Sequence, residues 1–244
     1  MSNYLYGMHP VLEAIRSGRE IERVLLKRGL EGEQFRTLFA LIAERQIPYQ
    51  FVPAEKLDAT VRGRHQGVIA FIPNIDYTPM EVAVERALSH GSKATVLLLD
   101  GVTDIRNLGA IARSAECMGV SCIIMPAKGG AAINADAIKA SAGALLRMDI
   151  CKVSNLKMAI FYLKELGFQI CAATEKSDTP LYAADFNKAP NAVILGSEGK
   201  GISNSLLALS DIKARIPMSG ETESLNVSVS AAIVLYEICR QQCI

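Results

Sequence analysis

Three stretches carry polar side chains where α/β proteins keep their chemistry. Residues 99–120 read LDGVTDIRNLGAIARSAECMGV. An apolar run at 95–99 ends on Asp100-Gly101, and a helix is expected over 107–118. Leu108, Ile111, Ala112, Ala115 and Met118 form its apolar stripe, at helical spacing. Asn107 sits at the expected N-cap, where a side-chain oxygen holds a first turn. Arg113 falls well off the stripe. Read alone, Asn107 fits a cap and Arg113 fits a solvated face. The second stretch, ILGSEGKGIS at 194–203, has glycines at 196, 199 and 201. These permit positive φ and close approach of backbone to a ligand. Glu198 stands among them as an acceptor for a ligand or for another loop. A Walker A loop needs Ser or Thr after its lysine, but Lys200 precedes Gly201. A dinucleotide fingerprint follows the first strand, whereas this loop comes late. The third stretch runs from 216 to 238. Pro217 suits a strand end, since it cannot donate to a ladder. Ser224 and Asn226 open a helix whose expected inner stripe is Leu225, Val229, Ala232, Ile233 and Tyr236. Together the stretches put Asn107, Arg113, Glu198, Ser224 and Asn226 at strand-to-helix loops. In a parallel sheet those loops share one edge.

The flanking elements fit that placement. Strands are expected at 94–99, 121–125, 149–153, 168–173, 192–195 and 212–216. Helices are expected near 107–118, 135–146, 155–166, 203–209 and 225–241. The strands are continuous apolar runs such as TVLLL and AVIL, as in strands covered on both faces. A parallel sheet between helices is the expected C-terminal architecture. The first part of the chain alternates differently. Helices are expected at 9–17 and 33–45, and strands at 21–27, 49–52 and 67–72. The segment PNIDYTP (73–79) reads as a linker, and a short helix at 80–89 leads onward. The expected division is 1–73, a linker at 74–91, and 92–244.

Composition narrows the classes. The chain has 244 residues, half of them hydrophobic, enough for two domains or one large one. Its formal net charge is +1, so it is not a polycation that coats nucleic acid by bulk charge. Six cysteines (Cys117, Cys122, Cys151, Cys171, Cys239, Cys243) form no C-x-x-C pair, and His9, His65 and His90 are scattered. No metal is expected. Cysteines within apolar runs suggest reduced thiols and a cytoplasmic location. The N-terminus does not read as a signal peptide, and no stretch approaches membrane-spanning length. Neither a membrane nor DNA is expected as a partner.

The segments N-L-G-A-I-A-R-S-A, G-S-E-G-K-G-I-S and I-P-M-S-G-E-T-E-S-L-N-V-S-V-S-A-A resemble the three motifs of the SpoU/TrmH family of RNA ribose 2′-O-methyltransferases. The first 73 residues, with Y-G-M-H-P-V-L-E-A-I and R-G-R-H-Q-G, resemble that family's substrate-binding domain, similar to an L30e fold. The resemblance implies a deep trefoil knot in the C-terminal domain and a homodimer with its active site close to the subunit interface. It implies S-adenosylmethionine as methyl donor, held in this chain by Thr174, Gly196, Ile216, Pro217, Met218 and Leu225. It implies an RNA-facing loop of Arg62, Arg64, His65 and Gln66. An N-terminal domain of this type resembles that of the family member that methylates a guanosine in the peptidyl-transferase region of 23S rRNA, which makes rRNA the expected partner, although relatives with the same layout act on other rRNA or tRNA sites. Relatives acting on tRNA often carry basic terminal extensions; the ending ICRQQCI has none, which favours rRNA. A tRNA ribose methyltransferase and a non-catalytic rRNA-binding assembly factor are the alternatives. The filled polar positions argue against the latter.

The family assigns the proton of the ribose hydroxyl to the arginine that matches Arg113. A guanidinium is effectively always protonated. Arg113 is therefore expected to grip the neighbouring phosphate and orient the hydroxyl. The proton leaves through that phosphate, through a water, or through a transiently neutral arginine. Asn107, Ser224 and Asn226 are expected to position the ribose. Glu198 is expected to orient Arg113 or Asn226.

Overall fold

A computed structural model describes residues 4–16, 18–61, 63–72, 76–89, 91–222 and 224–242. It divides into two compact units, 1–74 and 75–244. The first unit contains β1 (Tyr4–Tyr6), α1 (Met8–Arg16), β2 (Arg23–Lys27), α2 (Glu33–Glu44), β3 (Tyr49–Val52), α3 (Ala54–Thr60) and β4 (Val68–Phe71). The strand order is β1-β4-β2-β3, antiparallel except for the β2–β3 pair. One face packs Val24, Leu26, Val68 and Ala70 against Val11, Ile15, Leu38 and Ile42 of α1 and α2. The other packs Leu25 and Ile69 against Leu57 and Val61, in and just after α3. Strand β1 and helix α3 were not expected. Three residues are too few to display a period of two, and α3 buries only Leu57.

The second unit contains α4 (Met80–Leu88), β5 (Thr95–Asp100), α5 (Ile105–Cys117), β6 (Cys122–Pro126), α6 (Ala135–Ala140), β7 (Asp149–Val153), α7 (Leu156–Glu165), β8 (Gln169–Ala173), β9 (Asn191–Gly196), α8 (Asn204–Leu207), β10 (Ile212–Ala214) and α9 (Val227–Gln242). The six strands are all parallel, in the order β10-β8-β9-β5-β6-β7. Alternate residues of each apolar run face opposite cores. Leu97, Leu99, Ile123 and Val193 pack with α5, α6 and α9. Val96, Leu98, Cys122, Ile124 and Ile194 pack with α4, α7 and α8. Cys122, Cys151 and Cys171 are buried thiols, and Cys117 is an exposed one. Burial pushes the Cys171 thiol up to about 12, so it stays protonated and inert.

The segment expected as a linker, 74–91, includes α4. That helix buries Ala83, Val84 and Ala87 in the second unit. It is also tied down electrostatically: Thr78 Oγ1 donates to Asp149 Oδ1 at 2.7 Å, and Arg86 Nη1 lies 3.1 Å from both carboxylate oxygens. The helix expected at 135–146 stops at Ala140, because Ala142 (φ 50°) and Gly143 (φ 82°) turn left-handed.

The largest correction concerns α9. Its expected inner stripe is the outward face: Val229, Ile233 and Tyr236 are 46%, 36% and 59% exposed. The buried stripe is Val227, Ala231, Val234, Leu235 and Ile238. Both sides of α9 are apolar, so periodicity alone could not choose between them.

Helix α5 meets α6 at a glycine. A Cβ on Gly109 would stand 2.5 Å from the Ala140 Cβ and 3.0 Å from the Ala137 carbonyl oxygen. Overpacking of this kind costs about 1–3 kcal/mol, while alanine favours a helix interior by about 1 kcal/mol. The contacts are backbone and Cβ atoms that cannot swing aside, so packing should win. Gly109→Ala is expected to lower the unfolding free energy by about 1–2 kcal/mol. An unchanged or higher urea midpoint would contradict that.

Candidate active site

The loops after β5 and β9 are tied together at the sheet edge. Asp100 pairs in register with Gly196, and its Oδ2 accepts from Ser203 N at 2.8 Å. The Gly-rich loop folds back on its own strand: Ser197 and Gly201 exchange backbone hydrogen bonds of 3.2 and 2.9 Å. This return requires glycine at 196. A Cβ there would lie 2.1 Å from the Gly201 carbonyl carbon and 2.3 Å from Ile202 N.

Helix α5 starts earlier than expected. Its N-cap is Asp104, whose Oδ1 accepts from Arg106 N (2.8 Å) and Asn107 N (3.0 Å). Asn107 is therefore not the cap, and its side chain is free for a tertiary role. Its Nδ2 donates to Glu198 Oε1 at 3.1 Å. Asn226 Nδ2 donates to the same oxygen at 2.5 Å and to Asn107 Oδ1 at 3.0 Å. Asn226 also caps: its Oδ1 accepts from Ser228 N and Oγ at the start of α9. Three polar residues from three separate loops thus form one hydrogen-bonded cluster.

Beside it a cavity of about 250 Å³ opens at the C-terminal ends of β8, β9 and β10. Thr174, Gly196, Ile216, Met218 and Leu225 line it, as do Glu198 and Ser224. Pro217 lies between two lining residues but is not itself one. Glu175, also in the lining, was not singled out in the sequence. Its only signal is being an acid two residues past a strand's C-terminal end. The lining combines apolar side chains with two carboxylates and, among the described residues, no Lys, Arg or His. Residues 216–222, 224 and 225 make no hydrogen bond to other described residues. Their backbone donors and acceptors are free to meet a ligand. The cavity suits a partly apolar ligand that carries positive charge and reads backbone groups.

Arg113 is not in this cluster. It is exposed on α5, about 240° around the helix from Asn107 at 100° per residue. Its side chain makes no hydrogen bond or ion pair with another described residue. In the first unit, Arg62 lies outside the described residues. His65 and Gln66 are engaged internally: His65 Nε2 pairs with Asp58 Oδ1 at 2.8 Å, and His65 Nδ1 accepts from Gly67 N. Gln66 Oε1 accepts from Met8 N at the start of α1. Arg64 is exposed.

The described residues include no group of three or more potential metal ligands, and no helix long and apolar enough to cross a membrane.

Two family models match the chain. The SpoU rRNA methylase family covers residues 94–236. A model for RNA 2′-O ribose methyltransferase substrate binding covers residues 4–78. A putative TrmH-family tRNA/rRNA methyltransferase of Staphylococcus haemolyticus is 34% identical over 98% of this chain and 95% of its own length. The AdoMet-bound rRNA methyltransferase of Sinorhizobium meliloti is similar in fold, with a TM-score of 0.62 at 24% identity over 98% of this chain and 87% of that one. A TrmH/SpoU tRNA-modifying enzyme of A. aeolicus is 30% identical over 67% of this chain and 84% of that one, with a TM-score of 0.55. By sequence along nearly its whole length, the chain belongs to the SpoU rRNA methylase family.

Proposed function

We propose that this protein transfers a methyl group from S-adenosylmethionine to a ribose 2′-hydroxyl of RNA, with a guanosine in the peptidyl-transferase region of 23S rRNA as target. The observation that carries this reading is the Asn107–Glu198–Asn226 cluster beside a cavity with an acidic rim and a free backbone loop. When bound, the donor supplies a methyl group already activated on a positively charged sulfur, so no metal is needed. Glu175 and Glu198 provide the negative surroundings that such a cation favours. Ile216, Met218 and Leu225 offer apolar faces and unpaired backbone groups to its adenosine part. Thr174, Gly196 and Pro217 complete that binding loop.

The chain's own residues then do two jobs. Asn107, Asn226 and Ser224 hold the ribose, and Glu198 fixes both asparagines by accepting from each. Holding a nucleophile in line is worth on the order of 7–11 kcal/mol in well-oriented systems. Arg113 grips the adjoining phosphate and orients the hydroxyl, using the fork geometry of its guanidinium. It reaches a neighbouring cavity from a second copy of the chain. Its exposed side chain, unpartnered among the described residues, supports this, as does the lack of a cation among the described lining residues. The outward stripe of Val229, Ile233 and Tyr236 is the proposed dimer face, since so much exposed apolar surface on one helix calls for a partner. We also read the second unit as knotted, with β9 inserted between β5 and β8, and the first unit as L30e-like with Arg64 toward RNA. The enzyme is expected to act in the cytoplasm, where its rRNA substrate is found. A tRNA ribose is the second reading, favoured by the 30% identity with the A. aeolicus tRNA-modifying enzyme.

Radiolabelled methyl transfer to unmodified rRNA and tRNA distinguishes the two substrates. Arg113→Ala is expected to slow transfer by about 10²–10⁴-fold while donor affinity stays within about twofold, judged against the factor of ten that 1.4 kcal/mol represents. Near-normal turnover would remove Arg113 from the mechanism. Substantial activity in Arg113→Lys would make it a charge on the phosphate only. For the shared site, mixing inactive Arg113→Ala with inactive Asn226→Ala chains should restore activity through mixed dimers. Ile233→Asp should shift the protein to monomer in sedimentation. No restoration on mixing would confine each active site to a single chain.

A further inference from the structure

The first unit matches an RNA substrate-binding model, and two side chains of its expected RNA loop, His65 and Gln66, also bond within its own fold. His65 bonds Asp58 and Gly67, and Gln66 holds the start of α1. A different surface on the unit is free. Four aromatic rings form a continuous cluster on α2 and β3. The ring centroids of Phe35 and Phe39 are 5.7 Å apart, those of Phe39 and Tyr49 are 5.1 Å apart, and those of Tyr49 and Phe51 are 5.7 Å apart. Phe39 and Phe51 close the set at 6.1 Å. Tyr49 and Phe51 alternate along β3, so they share one face of the strand. They are 47% and 39% exposed. Strand β3 is the edge of its sheet and pairs only with β2.

We propose that the Phe35, Phe39, Tyr49 and Phe51 cluster is a stacking platform for unpaired nucleobases of the RNA substrate. This rests on the reading of the protein as an RNA-modifying enzyme. Phe35 and Phe39 are half-buried and pack against the core, and they seat Tyr49 and Phe51, whose exposure on a sheet edge calls for an occupant. The Phe39–Tyr49 and Tyr49–Phe51 pairs are edge-to-face, at 77° and 82°. In an edge-to-face pair one ring's face receives the other's edge, and the ring that points its edge keeps its own faces open to a base. Every base has a π-face, so such a platform tolerates sequence and selects single strands. Cations flank it. Arg36 stands three residues before Phe39 on α2, and Arg45 follows that helix four residues before Tyr49. Both are exposed, and neither has an ion-pair partner among the described residues. Glu33 and Glu44 lie at the two ends of the same helix, so the local charge is nearly balanced. Stacking, more than phosphate attraction, must then supply the binding.

The chain contains no tryptophan. Tyr49→Trp therefore places a single indole reporter in the cluster of the full-length protein. A short single-stranded oligouridine should quench its fluorescence saturably, and a fully paired RNA hairpin of equal length should not. The log affinity should fall with log salt at a slope no steeper than about −1.4, as for two phosphates on a single strand. Phe51→Ala in that background should weaken binding about tenfold or more. Phe51→Leu, which keeps apolar packing without a ring, should weaken it as well. Absence of quenching, or equal quenching by the hairpin, would overturn the proposal. So would quenching that follows protein concentration without RNA, which would mark a second copy as the occupant. The titration needs no methyl donor. Lost quenching with intact methyl transfer would remove the platform alone. Quenching without transfer would remove the enzymatic reading alone.

Discussion

One carboxylate oxygen joins three loops that are remote from one another in the chain. Glu198 Oε1 accepts from Asn107 and from Asn226, and the two asparagines bond each other as well. Each amide thereby has its orientation fixed, with nitrogen toward Glu198 and oxygen already accepting within the cluster or the α9 cap, while Asn107 keeps a second N–H for a ligand. Asn107 Oδ1 serves Asn226, and Asn226 Oδ1 serves the first turn of α9. A cluster of this kind is rigid because each member depends on the others. It fixes where α5, the Gly-rich loop and α9 begin relative to the sheet edge.

That cluster is possible only because the supporting elements are settled beneath it. Asp104 takes over the capping of α5 and releases Asn107. Asp100 holds Ser203, and Gly196 allows the loop to return within a distance that no side chain would permit. Below them lies an all-parallel sheet with an apolar core on each face. Parallel strands deliver every strand-to-helix loop to one edge, so loops from distant parts of the sequence meet there. The cavity follows from the same geometry, bounded by the ends of β8, β9 and β10 and by the loop that leads into α9.

Several side chains had two plausible uses in the sequence, and the fold assigned one. The cap expected at Asn107 is Asp104, three residues earlier, and the Asn107 side chain turns to Glu198 instead. Helix α9 carried two apolar stripes. Five buried residues on one side outweighed the stripe containing Val229, Ile233 and Tyr236, which was left facing outward. His65 and Gln66, RNA ligands by type, also bond within the unit, His65 to Asp58 of α3 and Gln66 to the start of α1. In each case the deciding partner lay far away in sequence or beyond the reach of a local pattern.

By itself the sequence determined the continuous apolar strands, their alternation with helices, the three polar loops and the likeness to a methyltransferase family. These are local properties: strand burial shows in runs of Val, Ile and Leu, and loop chemistry shows in glycine, acid and amide residues at strand ends. Only the tertiary structure decided which amides meet Glu198, which face of α9 is buried, and that Arg113 stands apart from the cluster on its own chain. Those outcomes depend on contacts between residues as many as 119 positions apart. Such contacts form only when the sheet has brought its loops to a common edge.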